Sequence, residues 1–230
     1  MSSQTSALIV GAGDGLSGSL VRLCAAEGMA VAMAARRTDK LASLGAETGA
    51  RSYACDAADP ASVDALFDAV DADLGTPDLV VYNPSYRTRG PVAELDRDEV
   101  RQTLMVCCYG GFLVGQAAAV RMLARGSGSI QFTGASASVK GYVNSAPFAM
   151  GKFGLRGLAQ SMARELAPSN IHVAHFVIDG GIARRTGAAG EDGDTTLDPD
   201  AIARTYLDVH QQHRSAWTWE VELRPWVERF

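Results

Sequence analysis

Residues 7–20 read ALIVGAGDGLSGSL. A short apolar run meets glycine at once, four glycines fall within eight positions, and apolar residues then resume at helical spacing. That is a buried strand feeding a tight turn that opens a helix. Glycines let a backbone pass close to a pyrophosphate, and the first N–H groups of a helix are free to bond it. The literal G-x-G-x-x-G match begins at Gly13, two residues late for the strand; counted from Gly11 the order is glycine, three residues, glycine, one residue, then Ser17. The strand–loop–helix context points to dinucleotide binding, with Gly11, Gly13, Gly15 and Leu16 at the phosphates. The alternative is a tight turn with no ligand.

Outward from this turn, strand-length apolar runs alternate with longer helical patterns. The strands expected are Ala7–Val10, Ala30–Ala34, Arg51–Cys55, Leu79–Tyr82, Ser129–Thr133, His172–Ile178 and Trp217–Leu223, with helices near 16–27, 38–47, 60–73, 97–124, 147–167 and 199–212. Near-continuous apolar strands between helices indicate a parallel sheet covered on both faces. Right-handed crossovers make it doubly wound, so the expected class is α/β: one Rossmann-type domain over residues 1–230 with seven parallel strands. The acidic, glycine-rich segment 184–198 has no periodicity and reads as a flap over the site.

At 230 residues the chain can bury a substantial core, and its 47% hydrophobic and 20% charged residues are those of a soluble globular protein. A formal charge of −5 opposes general nucleic-acid binding, which needs a basic face. Cys24, Cys55, Cys107 and Cys108 read as reduced thiols of a cytoplasmic protein. The N-terminus reads as a first strand rather than a signal peptide, and no segment approaches the roughly 20 apolar residues of a membrane span. Small-molecule partners are expected, and neither nucleic acid nor membrane.

The end of the second strand separates the two nicotinamide cofactors. An NAD site puts a carboxylate there to hold the ribose 2′-hydroxyl. This chain has Ala35-Arg36-Arg37, and an arginine grips a 2′-phosphate bidentately where a carboxylate would repel it. NADP is the expected cofactor, with Arg36 the first candidate and Arg37 the second. Asp56 and Ala57 follow the third strand, where an adenine amino group would be met. Asn83 follows the fourth, either bonded to neighbouring backbone or lying along the ribose.

In this order the motifs resemble those of the short-chain dehydrogenase/reductase family, over nearly the whole chain. The resemblance implies a Rossmann-type core, NAD(P)(H)-dependent redox chemistry on alcohols, carbonyls or related groups, and a homodimer or homotetramer. It also implies an Asn–Ser–Tyr–Lys tetrad, and Lys152 keeps the lysine position. Four residues earlier, at the tyrosine, stands Phe148; thirteen before that, at the serine, Ala135; and at the asparagine, Cys107. The family's third glycine is Ser17, its Asn-Asn-Ala-Gly run is Tyr82-Asn83-Pro84-Ser85, and its Pro-Gly motif is Asp179-Gly180-Gly181-Ile182, followed by Arg184 in place of threonine. Gly180 and Ile182 keep a backbone that can meet the nicotinamide amide.

In the family the tyrosine moves the substrate proton, the lysine lowers its pKa and bonds the ribose, and the serine holds the substrate oxygen. Phenylalanine and alanine do none of this, and acid–base assistance is worth about 10²–10⁴ in rate. The neighbouring substitutes are Ser136 (or Ser138), Tyr142 in the loop that lines the family's substrate pocket, and Lys152 through water. An iminium substrate needs no acid at all. The expectation is an NADP-dependent reductase of a small carbonyl, imine or related compound with a non-standard proton donor. The rival is an inactive NADP(H)-binding sensor or partner subunit; a third reading is a lyase or isomerase with the cofactor idle.

Other features carry less. His172 and His175, three apart on a strand, point to opposite faces and do not share a metal; His210 and His213 could share a helix face but lack an acidic or cysteine ligand. No metal is expected. Arg184 and Arg185 could meet an anionic substrate, the cofactor phosphates, or water. Trp226 and Phe230 would pack at a subunit interface or within the subunit. Phe112, Gln116, Ala119 and Leu123 read as core or dimer face.

Overall fold

The computed structural model describes residues 4–183 and 194–227. Segment 184–193, which holds most of the expected flap with Arg184 and Arg185, and Phe230 lie outside the described residues.

Seven strands form one parallel sheet: β1 Ser6–Val10, β2 Ala30–Ala35, β3 Arg51–Ala54, β4 Leu79–Tyr82, β5 Gly128–Thr133, β6 Ile171–Ile178 and, last in the chain, β9 Glu220–Leu223. Their order is β3-β2-β1-β4-β5-β6-β9, with β7 Gly181–Ile182 and β8 Thr196–Leu197 pairing apart. Chain progress runs one way from β1 to β3, then restarts on the other side of β1 with β4. This reversal leaves a crevice beyond the carboxyl ends of β1 and β4, where open α/β sheets bind ligands.

Strand alternation splits the core into two layers. Leu8 and Val10 of β1 join Val80, Ile130 and Phe132 on one face, whereas Ala7 and Ile9 join Val81, Phe176 and Tyr206 on the other. The first face is covered by α3 Pro60–Leu74, α5 Gly110–Arg125 and α6 Ala146–Leu166; the second by α1 Leu16–Ala26, α2 Ala42–Thr48 and α7 Pro199–His210. Sequence alternation within each strand is thus the origin of the doubly wound arrangement.

Three expectations need correction. The last strand begins at Glu220 rather than Trp217, because Trp217 leaves the sheet to stack on His172 (centroids 4.7 Å apart) and to donate its indole N–H to Gln212 O. Helix α7 ends at His210, so His213 does not share its face; it lies in the following turn against Ser215. The continuous helix Arg97–Arg125, which includes α4 Arg97–Leu104 and α5, does contain a stretch apolar enough to cross a bilayer; half of that stretch is buried against the core.

That long helix is interrupted by a π turn, Met105–Tyr109. One residue too many per turn swings Cys107 inward against α6, where Gly151 makes room: a Cβ on Gly151 would lie 2.7 Å from Cys107 Cβ. π turns of this kind are frequent at functional sites.

Candidate active site

A cleft of about 720 Å³ opens beyond the carboxyl ends of β1, β2, β3 and β4. Gly11, Gly13, Arg36, Arg37, Asp56 and Asn83 line it, with Ala57 beside Asp56. Residues from the segments after four strands thus meet in one crevice, because each segment follows a strand of the same parallel sheet.

The floor is built from the glycine turn. Gly11 sits at φ +83°, and a Cβ there would lie 2.7 Å from Pro84 N. Only glycine lets β1 pass so close to the segment after β4. A Cβ at Gly13 or Gly15 would meet nothing, so those positions leave open space in front of α1. No side chain caps α1, whose first N–H groups stay available to an anion.

Ser17, at the family's third-glycine position, is buried and structural. Its hydroxyl donates to Gly11 O at 2.9 Å and accepts from Asn83 Nδ2 at 2.6 Å, while Asn83 N–H donates to Val10 O at 2.9 Å. The Asn83 side chain thus bonds the Ser17 hydroxyl rather than neighbouring backbone, which only its main-chain N–H reaches. Asp56 closes its own turn by accepting from Ala58 N–H at 3.0 Å.

Arg36 and Arg37 are exposed and make no hydrogen bond or ion pair among the described residues. Lys40 joins them in the lining, a third cation that the sequence reading missed. The signal was present: Lys40 lies on the short turn after β2, one turn beyond Arg37. Ser85, Tyr86 and Val106 were missed too and line the cleft beside β4.

The remaining candidates stand apart from the cleft lining. Leu16 is 4% exposed, its side chain in the core beneath the turn, so only its backbone faces outward. Gly180 lies under Pro225, and Ile182 pairs with Leu197. Lys152 is 2% exposed; its Nζ donates to Thr133 O at 2.8 Å. Burial lowers its pKa from the ordinary lysine value; Cys107 pulls it back up and Arg87 presses it further down.

Phe148 stands one turn before Lys152 on α6 and is 3% exposed, packed with Cys107 and Ala137 and flanked by Ala135. The Lys152 ammonium lies 5.8 Å from the Phe148 ring centroid, and the Arg87 guanidinium carbon only 4.1 Å from it. Cys107 is held at the other edge: its Sγ accepts from Tyr86 N–H at 3.4 Å and donates to Tyr86 O at 3.1 Å. Arg87 escaped the sequence reading altogether, because nothing in its spacing marks it.

Of the substitute proton donors, Ser138 is buried and accepts from Ala135 N–H at 3.1 Å. Ser136 bonds Asp179, which also receives Lys140 Nζ at 3.1 Å. Burial opposes ionisation of Asp179, yet Ser136 and Lys140 outweigh it and hold the carboxyl below its usual range. Tyr142 is 49% exposed and its hydroxyl makes no bond among the described residues.

His172 and His175 are both buried on β6 with separate partners: His172 Nε2 meets Thr218 O at 2.9 Å, and His175 Nδ1 meets Glu220 Oε2 at 3.1 Å. No group of three or more metal-ligating side chains occurs among the described residues.

Residues 5–193 match the short chain dehydrogenase family model. A D-threitol dehydrogenase of Mycolicibacterium smegmatis is 33% identical over 172 residues, which cover 73% of this chain and 66% of that enzyme. A crystal structure of a short-chain dehydrogenase from Rhodopseudomonas palustris is 38% identical, with a TM-score of 0.85 over 96% of this chain and 99% of that one. A metagenomic short-chain oxidoreductase in complex with NADP is 26% identical, with a TM-score of 0.84 over 97% of this chain and 98% of that one.

Proposed function

The chain belongs to the short-chain dehydrogenase family, and on that premise we propose that it is an NADP(H)-dependent oxidoreductase of a small carbonyl, imine or related substrate, working without the family's tyrosine proton donor. The observation that carries the cofactor reading is the cleft itself: Gly11 at its floor, an uncapped α1, and Arg36, Arg37 and Lys40 on one wall with no ion pair among the described residues. Those residues fit a dinucleotide bearing a 2′-phosphate. Three cations face two carboxylates, Asp14 in the glycine turn and Asp56 after β3, in the lining, and a phosphate dianion on two or three of the cations gains charge-assisted bonds. The bound nicotinamide supplies or accepts the hydride.

The chain's own residues do the rest. Asn83 and Ser17 brace the turn, Asp56 and Ala57 meet the adenine, and the backbone of Leu16, Gly180 and Ile182 offers polar groups along the cofactor. Lys152 is the buried cation nearest Phe148, and its lowered pKa makes its proton easier to release. With phenylalanine and alanine at the tyrosine and serine positions, the proton comes from Lys152, Tyr142 or Ser136, or an iminium substrate needs none. Tyr142 has the unbonded hydroxyl of the three; Ser136 must first leave Asp179.

Stopped-flow NADPH oxidation with Lys152→Ala and Tyr142→Phe tests the proton source, and activity indifferent to both substitutions would rule out both as donors. One observation favours the second reading, an inactive NADP(H)-binding sensor or partner subunit: Phe148 packs over Lys152 with no polar group of its own. That reading expects NADPH binding with no turnover across carbonyls and imines.

We further propose a homodimer or homotetramer. Tyr109, Phe112, Val120 and Leu123 on the long helix and Met150 and Phe153 on α6 are all exposed apolar side chains, Val120 to 62%, more than isolated surface residues would explain. Trp226, 81% exposed with its indole N–H donating to Asp194, suits a subunit contact as well. The free thiols Cys24, Cys55, Cys107 and Cys108 favour a reducing, cytoplasmic setting.

A further inference from the structure

Arg87 is a cation held in place without an anion. It belongs to the segment that follows β4, and the residue before it is clamped at both backbone groups by Cys107, on the π turn of the long helix. The Tyr86 hydroxyl donates to Glu99 Oε2 at 2.6 Å, so that carboxylate is already engaged. Arg87 itself forms no hydrogen bond or ion pair among the described residues. Its guanidinium carbon lies 4.1 Å from the Phe148 centroid, close enough for the flat face of the cation to rest on the ring. A guanidinium seated by one face keeps its N–H edge free, and that edge matches the two oxygens of a carboxylate.

The charged neighbours of Arg87 are cations. Lys152 Nζ lies 5.8 Å from the same ring, and Arg89, two residues on, makes no hydrogen bond or ion pair among the described residues. Arg87 is exposed as a residue; what burial it has and the charge of Arg89 work against its charge, and Cys107 works the other way. The cations suited to a cofactor phosphate, Arg36, Arg37 and Lys40, follow β2 on the far side of β1. Arg87 is therefore placed for the substrate.

We propose that Arg87, seated on Phe148, anchors a carboxylate of the substrate, so that the preferred substrates are oxo acids or hydroxy acids rather than neutral ketones or alcohols. This inference rests on the redox reading above, with Phe148 at the reaction centre. The ring that replaced the tyrosine then serves as the platform for the group that orients the substrate. Arg87 acts as a specificity residue, and its contribution is the difference between an acid and its neutral isostere.

The test is equilibrium titration of the NADPH-saturated protein with benzoate and hexanoate, each against its carboxamide. Charge-assisted hydrogen bonds are worth about 1.5–3 kcal/mol, roughly 10–100-fold, so each acid is expected to bind at least about tenfold tighter than its amide. Arg87→Met should bring acid and amide to parity; Arg87→Lys, which keeps the charge and loses the fork, should retain part of the preference. A separate NADPH titration of each variant reports whether it is folded. Acid binding no tighter than amide binding in the unsubstituted protein, or a preference that survives Arg87→Met, overturns the anchor. Turnover of short oxo acids and their methyl esters is then measured separately: an acid preference in binding with no turnover of any carbonyl retains the anchor and removes the redox reading.

Discussion

Around Gly11 the side chains face outward with unpaired charge, while around Phe148, on the same sheet, they close over one another. The first region is made largely of backbone: a turn at positive φ, an uncapped helix end, and three cations reaching in from the segment after β2. The second is made of side chains: Phe148, Ala137 and Cys107 in contact, with Lys152 beneath them. The proposed dinucleotide site draws on features that many side chains permit, and Ser17 braces its turn through Gly11 O and Asn83. Proton transfer needs a hydroxyl at one place, and a single phenylalanine removes it. Recognition and chemistry therefore separate along the cleft.

The sharpest way to break this contrast is to restore the second region. Phe148→Tyr combined with Ala135→Ser should raise NADPH-dependent carbonyl reduction by about 10²–10⁴, the usual worth of acid–base assistance, measured as steady-state kcat. A double variant no faster than the parent would mean that the proton donor does not limit this protein. Phe148→Tyr alone should give a part of the gain, since Lys152 already lies beneath that ring.

A second effect lies just behind the same region. Burial holds the His175 pKa down at about 4, against 6.5 for an ordinary histidine, although Glu220 pulls it upward and Lys152 and Arg156 press it further down. Between those values the unfolded chain carries a proton that the folded chain refuses. Stability therefore falls as pH drops through that window, by about 3 kcal/mol in total. His175→Gln should flatten this part of the curve, read as denaturation midpoints at pH 7 and pH 4.5. Equal slopes in variant and parent would show that His175 is not the group responsible.

At the binding end the expected effects are smaller. Arg36→Glu should weaken NADPH roughly 10–100-fold, the worth of a charge-assisted bond to phosphate, and leave NADH nearly unchanged; fluorescence titration with both cofactors checks it. Smaller still is Ser17→Ala, which leaves Asn83 Nδ2 and Gly11 O without their shared partner. A loss of about 1–2 kcal/mol in unfolding free energy is expected, with NADPH affinity reduced severalfold as the turn loosens.

The same contrast explains what was legible in the sequence. The sheet strands fell on the expected runs, the last one starting three residues late; the inner strands β1, β4, β5 and β6 were plainest, because a parallel strand buried on both faces has little choice of residue. The cleft residues Gly11, Arg36, Asp56 and Asn83 were legible because each follows such a strand directly. Lys40 and Tyr86 were not, since they reach the cleft from turns and loops that carry no period. Arg87 was hidden for a stronger reason: its importance comes from the Phe148 ring, 61 positions later in the chain, and from a π turn that no local pattern announces. The start of the last strand was misjudged because Trp217, a good strand residue, prefers the face of His172.

The most direct measurement is a single-turnover experiment: protein saturated with NADPH is mixed with a panel of oxo acids, ketones, imines and enones, and the nicotinamide signal is followed in time. NADPH bound more tightly than NADH, and oxidised by at least one member of the panel, is the predicted result. NADPH bound and left unoxidised by every compound would contradict the account and leave a cofactor-binding protein without a reaction.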